Sequence, residues 1–332
     1  MSNLVVVQKR NYVGVLTLNR PQALNAIDDV LQNQILDVLE KWKFDSRIYI
    51  ILINSSSERA FCAGGDIRKI ADLVRSGKKQ KGLEIFKYNY VLANYILHYS
   101  KPIISVMDGI TMGGGIGLGA FATYRFVTER SILAMPEVMI GLTPDAGSSF
   151  LFQNAPGFSG LRAMLTGQRF NGNTAIKLGF ADYMIYSSEL ELFLQKLTEL
   201  QPNEINFFLS TYKQSYEFDN KTLKQIADIY QASSVAKIIE KLRKSKYNWA
   251  VCDFKTILKA CPFSLEVTYR AWHLKLPTQE AVLTRDLLLV SHLIQRADFL
   301  EGVRAAIIDK DHNPKWNQAP ISESEINSCF DY

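Results

Sequence analysis

The chain predicts an α/β fold whose last third is helical, and three observations carry this. Short β-rich runs alternate with helical stretches through the first half. One run, Ile48–Ile53, is apolar and rich in β-branched residues, and from about Asn154 onward helical segments dominate. Strands alternating with helices argue for an α/β architecture with crossover connections. A run without polar alternation argues for a strand covered on both faces.

Taken in order, Leu4–Val7 and Val13–Leu18 read as strands about a turn at Arg10-Asn11. From Asp28 to Trp42, Val30, Ile35, Val38 and Leu39 share a helical face, with Asp28 or Asp29 as N-cap. Ile48–Ile53 is the next strand, Arg59 to Asp66 is a turn, and helices follow from about Ile67 and over Gly82–His98. Pro102–Met107 reads as a buried strand, Asp108–Gly115 as a loop, and the residues after it as a helix to about Tyr124. Helices then fit Ser159–Thr166, Thr174–Leu178, Glu189–Leu200, Leu223–Ala232, Val235–Lys244 and Leu283–Asp298, with one short strand near Ala181–Ile185. No Pro/Ser-rich linker or internal repeat marks a boundary. The shift in composition divides the chain into an α/β core, 1–200, holding the site, and a mainly helical region, 201–332, packed on it.

Bulk composition narrows the function. With 332 residues, 47% hydrophobic and 21% charged, the chain can fill a sizeable core. A formal charge of +5 suits an anionic ligand, but no Lys/Arg cluster is dense enough for a nucleic-acid face. The strongest basic run, Lys241–Lys246, reads as a solvated helix end. Four cysteines without a C-x-x-C pair predict free thiols in a cytosolic protein. The opening Met1-Ser2-Asn3-Leu4 has no signal-peptide pattern, so the expected location is cytoplasmic. In a eukaryote it would be the mitochondrial matrix, though no transit peptide is seen. No apolar run reaches the length of about 18 residues that a membrane span needs.

Two glycine clusters, Ala63-Gly64-Gly65-Asp66 and Gly113-Gly114-Gly115, each precede a predicted helix. One such turn alone is a packing device. Two with matching flanks can aim backbone amides at one point and form an oxyanion hole. Gly115-x-Gly117-x-x-Ala120 also fits a loose dinucleotide fingerprint, but seven residues, Asp108 to Gly114, separate it from the strand. Met135-Pro136-Glu137 and Gly141-Leu142-Thr143-Pro144-Asp145 place two carboxylates eight residues apart in an apolar, Pro/Gly-shaped loop. Such surroundings raise one carboxyl and split the pair's titrations. Asp145 could also N-cap a helix starting near Gly147, and Glu137 could simply cap a turn. There is no G-x-S-x-G or H-E-x-x-H, and the four histidines lie far from the glycine turns in sequence, so no metal is implied.

These residues resemble the crotonase (enoyl-CoA hydratase/isomerase) superfamily along nearly the whole chain. The motifs are Leu18-Asn19-Arg20-Pro21 with Leu24-Asn25-Ala26, Ala60–Ile67, Lys101-Pro102, Asp108–Gly115, Met135-Pro136-Glu137 and Gly141-Leu142-x-Pro144-Asp145. The runs Gly109–Met112, Cys261-Pro262-x-Ser264-Leu265, Asp298–Ala305, Ile308–Asp311 and Pro314-Lys315-Trp316 are similar to the family's 3-hydroxyisobutyryl-CoA hydrolase branch. The resemblance implies a spiral of repeated ββα units and an acyl-CoA substrate, with no separate cofactor. It also implies a homo-oligomer, trimer-based in many members. By residue, it implies that the Gly65 and Gly114 amides bind the thioester oxygen and that the turn around Ala63, Asp66 and Ile67 receives the CoA adenine. Glu137 and Asp145 would then be the reacting pair.

Departures from the pattern choose between branches. The hydratases use a second glutamate two residues past the glycine triplet, where this chain has Gly117. Diene isomerases share the Glu137/Asp145 spacing but also carry a carboxylate at that place, whereas the hydrolases match all three. The resemblance therefore implies hydrolysis of a short-chain (3-hydroxy)acyl-CoA, 3-hydroxyisobutyryl-CoA foremost, in valine catabolism. An enoyl-CoA isomerase or hydratase is the alternative. Asn89 stands where the hydrolases usually have an acid that meets the substrate hydroxyl, and Ser148 and Ser149 replace glycines common there. Glu137 is expected as nucleophile or as general base, with Asp145 orienting it or protonating the leaving thiolate.

Overall fold

The computed structural model describes residues 3–331; Met1 and Ser2, used above in reading the opening, lie outside them. The chain divides into two compact units whose segments alternate along it. The first takes the chain up to Gly65, Tyr88–Ala134 and Arg169–Glu217; the second takes Asp66–Lys87, Met135–Gln168 and the chain from Phe218 onward.

The first unit holds all ten strands. They are β1 Val5–Arg10, β2 Val13–Leu18, β3 Ile50–Ser55, β4 Ala60–Cys62, β5 Ile103–Met107, β6 Ile110–Met112, β7 Tyr124–Val127, β8 Ile132–Ala134, β9 Phe170–Asn171 and β10 Tyr183–Met184. Six form one sheet in the order β1-β2-β3-β5-β7-β10, and four form another in the order β4-β6-β8-β9. β1 and β2 make an antiparallel hairpin, Val5↔Leu18 to Arg10↔Val13, turned by Asn11 at a left-handed φ of 48°. β3, β5 and β7 follow in parallel. The pairs β3–β4, β5–β6 and β7–β8 each give one strand to each sheet before the chain turns helical. That repeat of strand, strand, helix is the crotonase-like spiral.

Ile50, Ile51, Leu52 and Ile53 of β3 are all buried, as a strand between two parallel neighbours requires. Helix α1, Asp29–Lys43, starts where the Asp28 carboxylate accepts the Leu31 N–H at 2.9 Å, and buries Leu31, Ile35, Leu39 and Trp42. Lys101 closes its far end, donating Nζ to the carbonyls of Trp42 and Asp45 at 2.6 Å each. Val13, Val15, Leu52, Val106 and Phe126 of the larger sheet share a core with Phe193, Leu197, Ile205 and Leu209. Each such aliphatic or aromatic side chain gains about 1.5–3 kcal/mol on burial.

The remaining helices are α2 Ile67–Arg75, α3 Lys79–Leu97, α4 Gly114–Gly119, α5 Ser148–Asn154, α6 Ser159–Thr166, α7 Gly172–Lys177, α8 Leu190–Glu199 and α9 Pro202–Ser210. A C-terminal helical region follows: α10 Asn220–Tyr230, α11 Val235–Lys244, α12 Asn248–Ile257, α13 Pro262–His273, α14 Gln279–Leu293, α15 Ala297–Val303 and α16 Glu323–Ser328. Within the second unit a buried network ties α6, α10 and α12. Arg162 Nε donates to Asp253 at 2.7 Å, and the Tyr230 hydroxyl donates to the same carboxylate at 2.6 Å.

Four local expectations are corrected. The Arg59–Asp66 turn and the Asp108–Gly115 loop each contain a three-residue strand, β4 and β6. The helix after the glycine triplet stops at Gly119, because Tyr124 opens β7. The stretch Leu283–Asp298 is two helices, parted where α14 ends at Leu293 and Arg296 takes an extended conformation as N-cap of α15. α5 begins at Ser148, and the N-cap position is held by Gly147, not by Asp145.

Candidate active site

The predicted site residues fall into two groups, one in each unit. In the first unit the glycine turn after β4 is seated by the loop of residues 20–27. The Asn25 side chain accepts the Arg20 N–H at 2.8 Å and donates to the Phe61 carbonyl at 2.9 Å and Ser55 Oγ at 2.8 Å. Ala63 N donates to the Leu24 carbonyl at 2.9 Å, and Ile27 N to the Gly64 carbonyl at 2.7 Å. Leu24 and Asn25 reach this geometry through consecutive left-handed residues, φ 50° and 55°. Sequence reading quoted Asn25 only as part of a motif. Its signal was a polar residue in an apolar stretch that also tolerates the left-handed region.

The second glycine turn meets the first. β4 pairs with β6, Ala60↔Ile110 and Cys62↔Thr111, so both turns leave the small sheet side by side. Gly113 has φ 51°, and a Cβ on Gly115 would lie 2.2 Å from the Cys62 carbonyl oxygen, so α4 can start here only with glycines. A Cβ on Gly114 would lie 3.4 Å from the Gly65 nitrogen and 3.7 Å from Asn89 Nδ2, and one on Gly65 would lie 3.2 Å from that same Nδ2. The Gly65 amide, the start of α4 and the Asn89 carboxamide thus surround a space one side chain wide. Among the described residues neither the Gly65 nor the Gly114 N–H is taken by a backbone carbonyl outside its own element, and the first N–H groups of a helix lack an intrahelical partner. Asn89 is buried, and its Oδ1 has no hydrogen-bond partner.

In the second unit, Glu137 opens a 3₁₀ turn, Glu137–Ile140, that ends at Gly141 with φ 77°. The turn is wedged from two sides. A Cβ on Gly141 would lie 2.7 Å from the Asp298 backbone, and one on Gly167 would lie 3.0 Å from Pro136 Cα. Glu137 is 7% exposed and Asp145 4%. Glu137 Oε2 is buried without a hydrogen-bond partner, a state costing about 1–3 kcal/mol. Burial, and after it the charge of Asp145, push the Glu137 carboxyl well above the ordinary carboxylate range. The structure therefore brings together the two carboxyls that the loop spacing singled out.

Asp66 and Ile67 open α2, where the Asp66 side chain accepts the Lys69 N–H at 3.2 Å. A groove of about 400 Å³ runs along this helix, lined by Asp66, Arg68, Lys69, Asp72, Leu73 and Ser76. Ala63 is half-buried just before the glycine turn, and Gly117 is buried within α4. Cys62 is fully buried, and burial pushes its thiol up to about 12, so it is no nucleophile.

Residues 13–330 match the family model described as Enoyl-CoA hydratase/isomerase. The chain belongs to that family, the crotonase superfamily, and is an enzyme of CoA-thioester chemistry. It is 35% identical to the mitochondrial 3-hydroxyisobutyryl-CoA hydrolase of Danio rerio, over 98% of this chain and 89% of that protein. It is 34% identical to the protein of the same name from Homo sapiens, over 98% and 88%. The fold is similar to a carnitinyl-CoA dehydratase from Mycobacterium thermoresistibile, with a TM-score of 0.92 and 31% identity, covering 100% of this chain and 97% of that one. It is also similar to an enoyl-CoA hydratase from Rhodobacter sphaeroides, with a TM-score of 0.89 and 30% identity, covering 99% and 97%.

Two outcomes follow from this geometry. The Cβ of Gly114→Val would meet the Gly65 nitrogen at 3.4 Å, an ordinary contact, and its methyl groups would crowd the space before that amide. This variant should melt within a few degrees of the native protein yet lose acyl-CoA turnover. Gly115→Ala meets the Cys62 carbonyl at a distance no Cβ tolerates and should lower the melting temperature by about 4 °C or more, the shift that about 3 kcal/mol gives a chain of this length. Scanning calorimetry and turnover on the same samples separate the two effects.

The second outcome concerns pH. Because Glu137 holds its proton more tightly folded than unfolded, its contribution to stability is full below the ordinary carboxylate value and is lost as pH rises through the folded value. Glu137→Gln keeps the neutral shape, so its melting-temperature advantage should grow by a few degrees between pH 5 and pH 8. A constant difference would mean that the carboxyl is not raised.

Proposed function

We propose that the enzyme hydrolyses a short-chain acyl-CoA thioester, 3-hydroxyisobutyryl-CoA foremost, to the free acid and CoA. The observation that carries this reading is the placing of acid–base groups. α4 has a glycine, Gly117, where a second glutamate would serve water addition, while Glu137 and Asp145 form a buried carboxyl pair with Glu137 raised. The names borne by the relatives from Danio rerio and Homo sapiens support the same choice.

In this reading the Gly65 and Gly114 amides hold the thioester oxygen and stabilise the tetrahedral oxyanion, a role worth on the order of 3 kcal/mol per donor. Deprotonated Glu137 attacks the thioester carbon, expels CoA as thiolate and leaves a mixed anhydride that water then cleaves. Alternatively it takes a proton from water, which attacks directly. Asp145, anionic beside the raised Glu137, orients Glu137 or the water. The thiolate takes its proton from Glu137 in the direct route, where Glu137 has just taken one from water, and from solvent in the anhydride route. Asn89 can both donate and accept, which suits an acyl group bearing a hydroxyl. The basic side chains Arg68 and Lys69 along the α2 groove suit the anionic end of CoA.

Release of free thiol from 3-hydroxyisobutyryl-CoA, 3-hydroxypropionyl-CoA and crotonyl-CoA tests the reading. Thiol should appear with the hydroxyacyl substrates, and the enone absorbance of crotonyl-CoA should persist. Rapid loss of that absorbance would sink the hydrolase assignment in favour of a hydratase. Glu137→Gln should retain less than a tenth of the turnover, a barrier increase above about 1.4 kcal/mol. The native rate should rise with pH through a value above the ordinary carboxylate range, because Glu137 acts after losing its proton.

A further inference from the structure

Asp145 is followed by two left-handed residues, Ala146 with φ 51° and Gly147 with φ 78°. That region is disfavoured for a residue with a Cβ, so Ala146 needs support from outside the turn. From α5 the turn receives one backbone bond, Ser148 N donating to the Asp145 carbonyl at 2.9 Å, and the N-cap residue Gly147 has no side chain to add. The support comes from α14. Gln279 Nε2 donates to the Gly147 carbonyl at 3.4 Å and lies 2.0 Å from where a Cβ on Gly147 would stand. On the other side of the residue, Asp286 Oδ2 accepts the Gly147 N–H at 3.0 Å.

Asp286 is itself held. Its Oδ1 accepts from the Arg285 guanidinium at 3.0 Å and from the Ser149 hydroxyl at 3.4 Å. Arg285 donates further to Ser149 Oγ and, at 2.9 Å, to the Ala271 carbonyl of α13. Asp286 is 0% exposed and Arg285 4%. A fully buried ion pair is a poor source of stability, since apolar residues of similar volume commonly serve as well or better. This pair does what an apolar pair cannot: it offers an anionic acceptor to one backbone N–H in the turn behind Asp145.

We propose that Arg285 and Asp286 are positioning residues for the reacting carboxyls, Asp286 fixing the Gly147 peptide and through it the direction of Asp145 toward Glu137. The inference rests on Glu137 and Asp145 being the reacting pair. The charged groups involved are Arg285 and Asp286 on α14 and the pair itself; α5 adds the Ser149 hydroxyl, and α13 adds the Ala271 carbonyl and the Thr268 hydroxyl, which is 2.9 Å from that of Thr143.

Two double variants test it without leaving a lone buried charge. Arg285→Leu/Asp286→Leu removes the acceptor for Gly147, whereas Arg285→Leu/Asp286→Asn keeps a neutral one. For each, kcat and KM for thiol release are measured per folded molecule, and the Glu137 carboxyl is titrated by isotope-edited infrared spectroscopy without substrate. The first variant should lose about tenfold or more in kcat with KM within about threefold, and the second should recover kcat to within about threefold of native. Glu137 should titrate lower in the first variant, because Asp145's charge has swung away, and return in the second. Equal kcat and equal Glu137 titration in the two variants would overturn the proposal. Should Arg285→Leu/Asp286→Leu not fold, Gln279→Leu removes the other clamp, and an unchanged kcat and Glu137 titration there would overturn it too. If the native enzyme releases no thiol, the hydrolase reading fails by itself, and the infrared titration still decides this inference.

Discussion

The backbone of α4 rests against the backbone of β4, and the rest of the first unit is arranged to permit that contact. A single Cβ at Gly115 would stand 2.2 Å from the Cys62 carbonyl, closer than any side-chain atom can approach. The pairing of β4 with β6 brings the two segments alongside, and the Asn25 carboxamide fixes β4 from the other side. Only with the two turns this close can the Gly65 and Gly114 amides border one space. The glycines are therefore a condition of this close packing.

Three buried polar atoms, one in the first unit and two in the second, run against stability. Glu137 Oε2, Asn89 Oδ1 and Ser148 Oγ are buried polar atoms without hydrogen-bond partners. Most buried polar atoms in folded proteins do have partners, and each exception carries a desolvation cost of about 1–3 kcal/mol. The chain offsets such costs with apolar burial elsewhere, as in the core shared by the large sheet, α8 and α9.

Much of this was legible in the sequence, for identifiable reasons. The apolar run of β3, the Asp28 cap of α1 and the whole of α6 and α11 stand where local pattern placed them, because burial and capping leave strong local signals. β4 and β6 were hidden, since three residues are too few to show a period and their pairing is non-local. The glycine turns and the Glu137/Asp145 spacing were visible as residue patterns. The left-handed pair Leu24-Asn25 and the clamp on Gly147 were not, because the first depends on backbone dihedrals and the second joins residues more than a hundred positions apart. Composition offers one boundary near residue 200, whereas contacts interleave the two units, which no local property records.

The seat of the Glu137 turn has a consequence for biosynthesis. Gly141 lies against Asp298, and a Cβ on Gly302 would lie 2.5 Å from Ile140 Cα, so α15 is the surface on which the turn rests. The ribosome makes Glu137 long before that helix. The 166 residues from Glu137 to Val303 take about 8–33 s to synthesise at roughly 5–20 residues per second. Throughout that interval the turn has the Gly167 side of its seat and lacks the side that α15 supplies. The Glu137 turn gains its full seat only as translation nears its end, so a chain terminated before α15 lacks it.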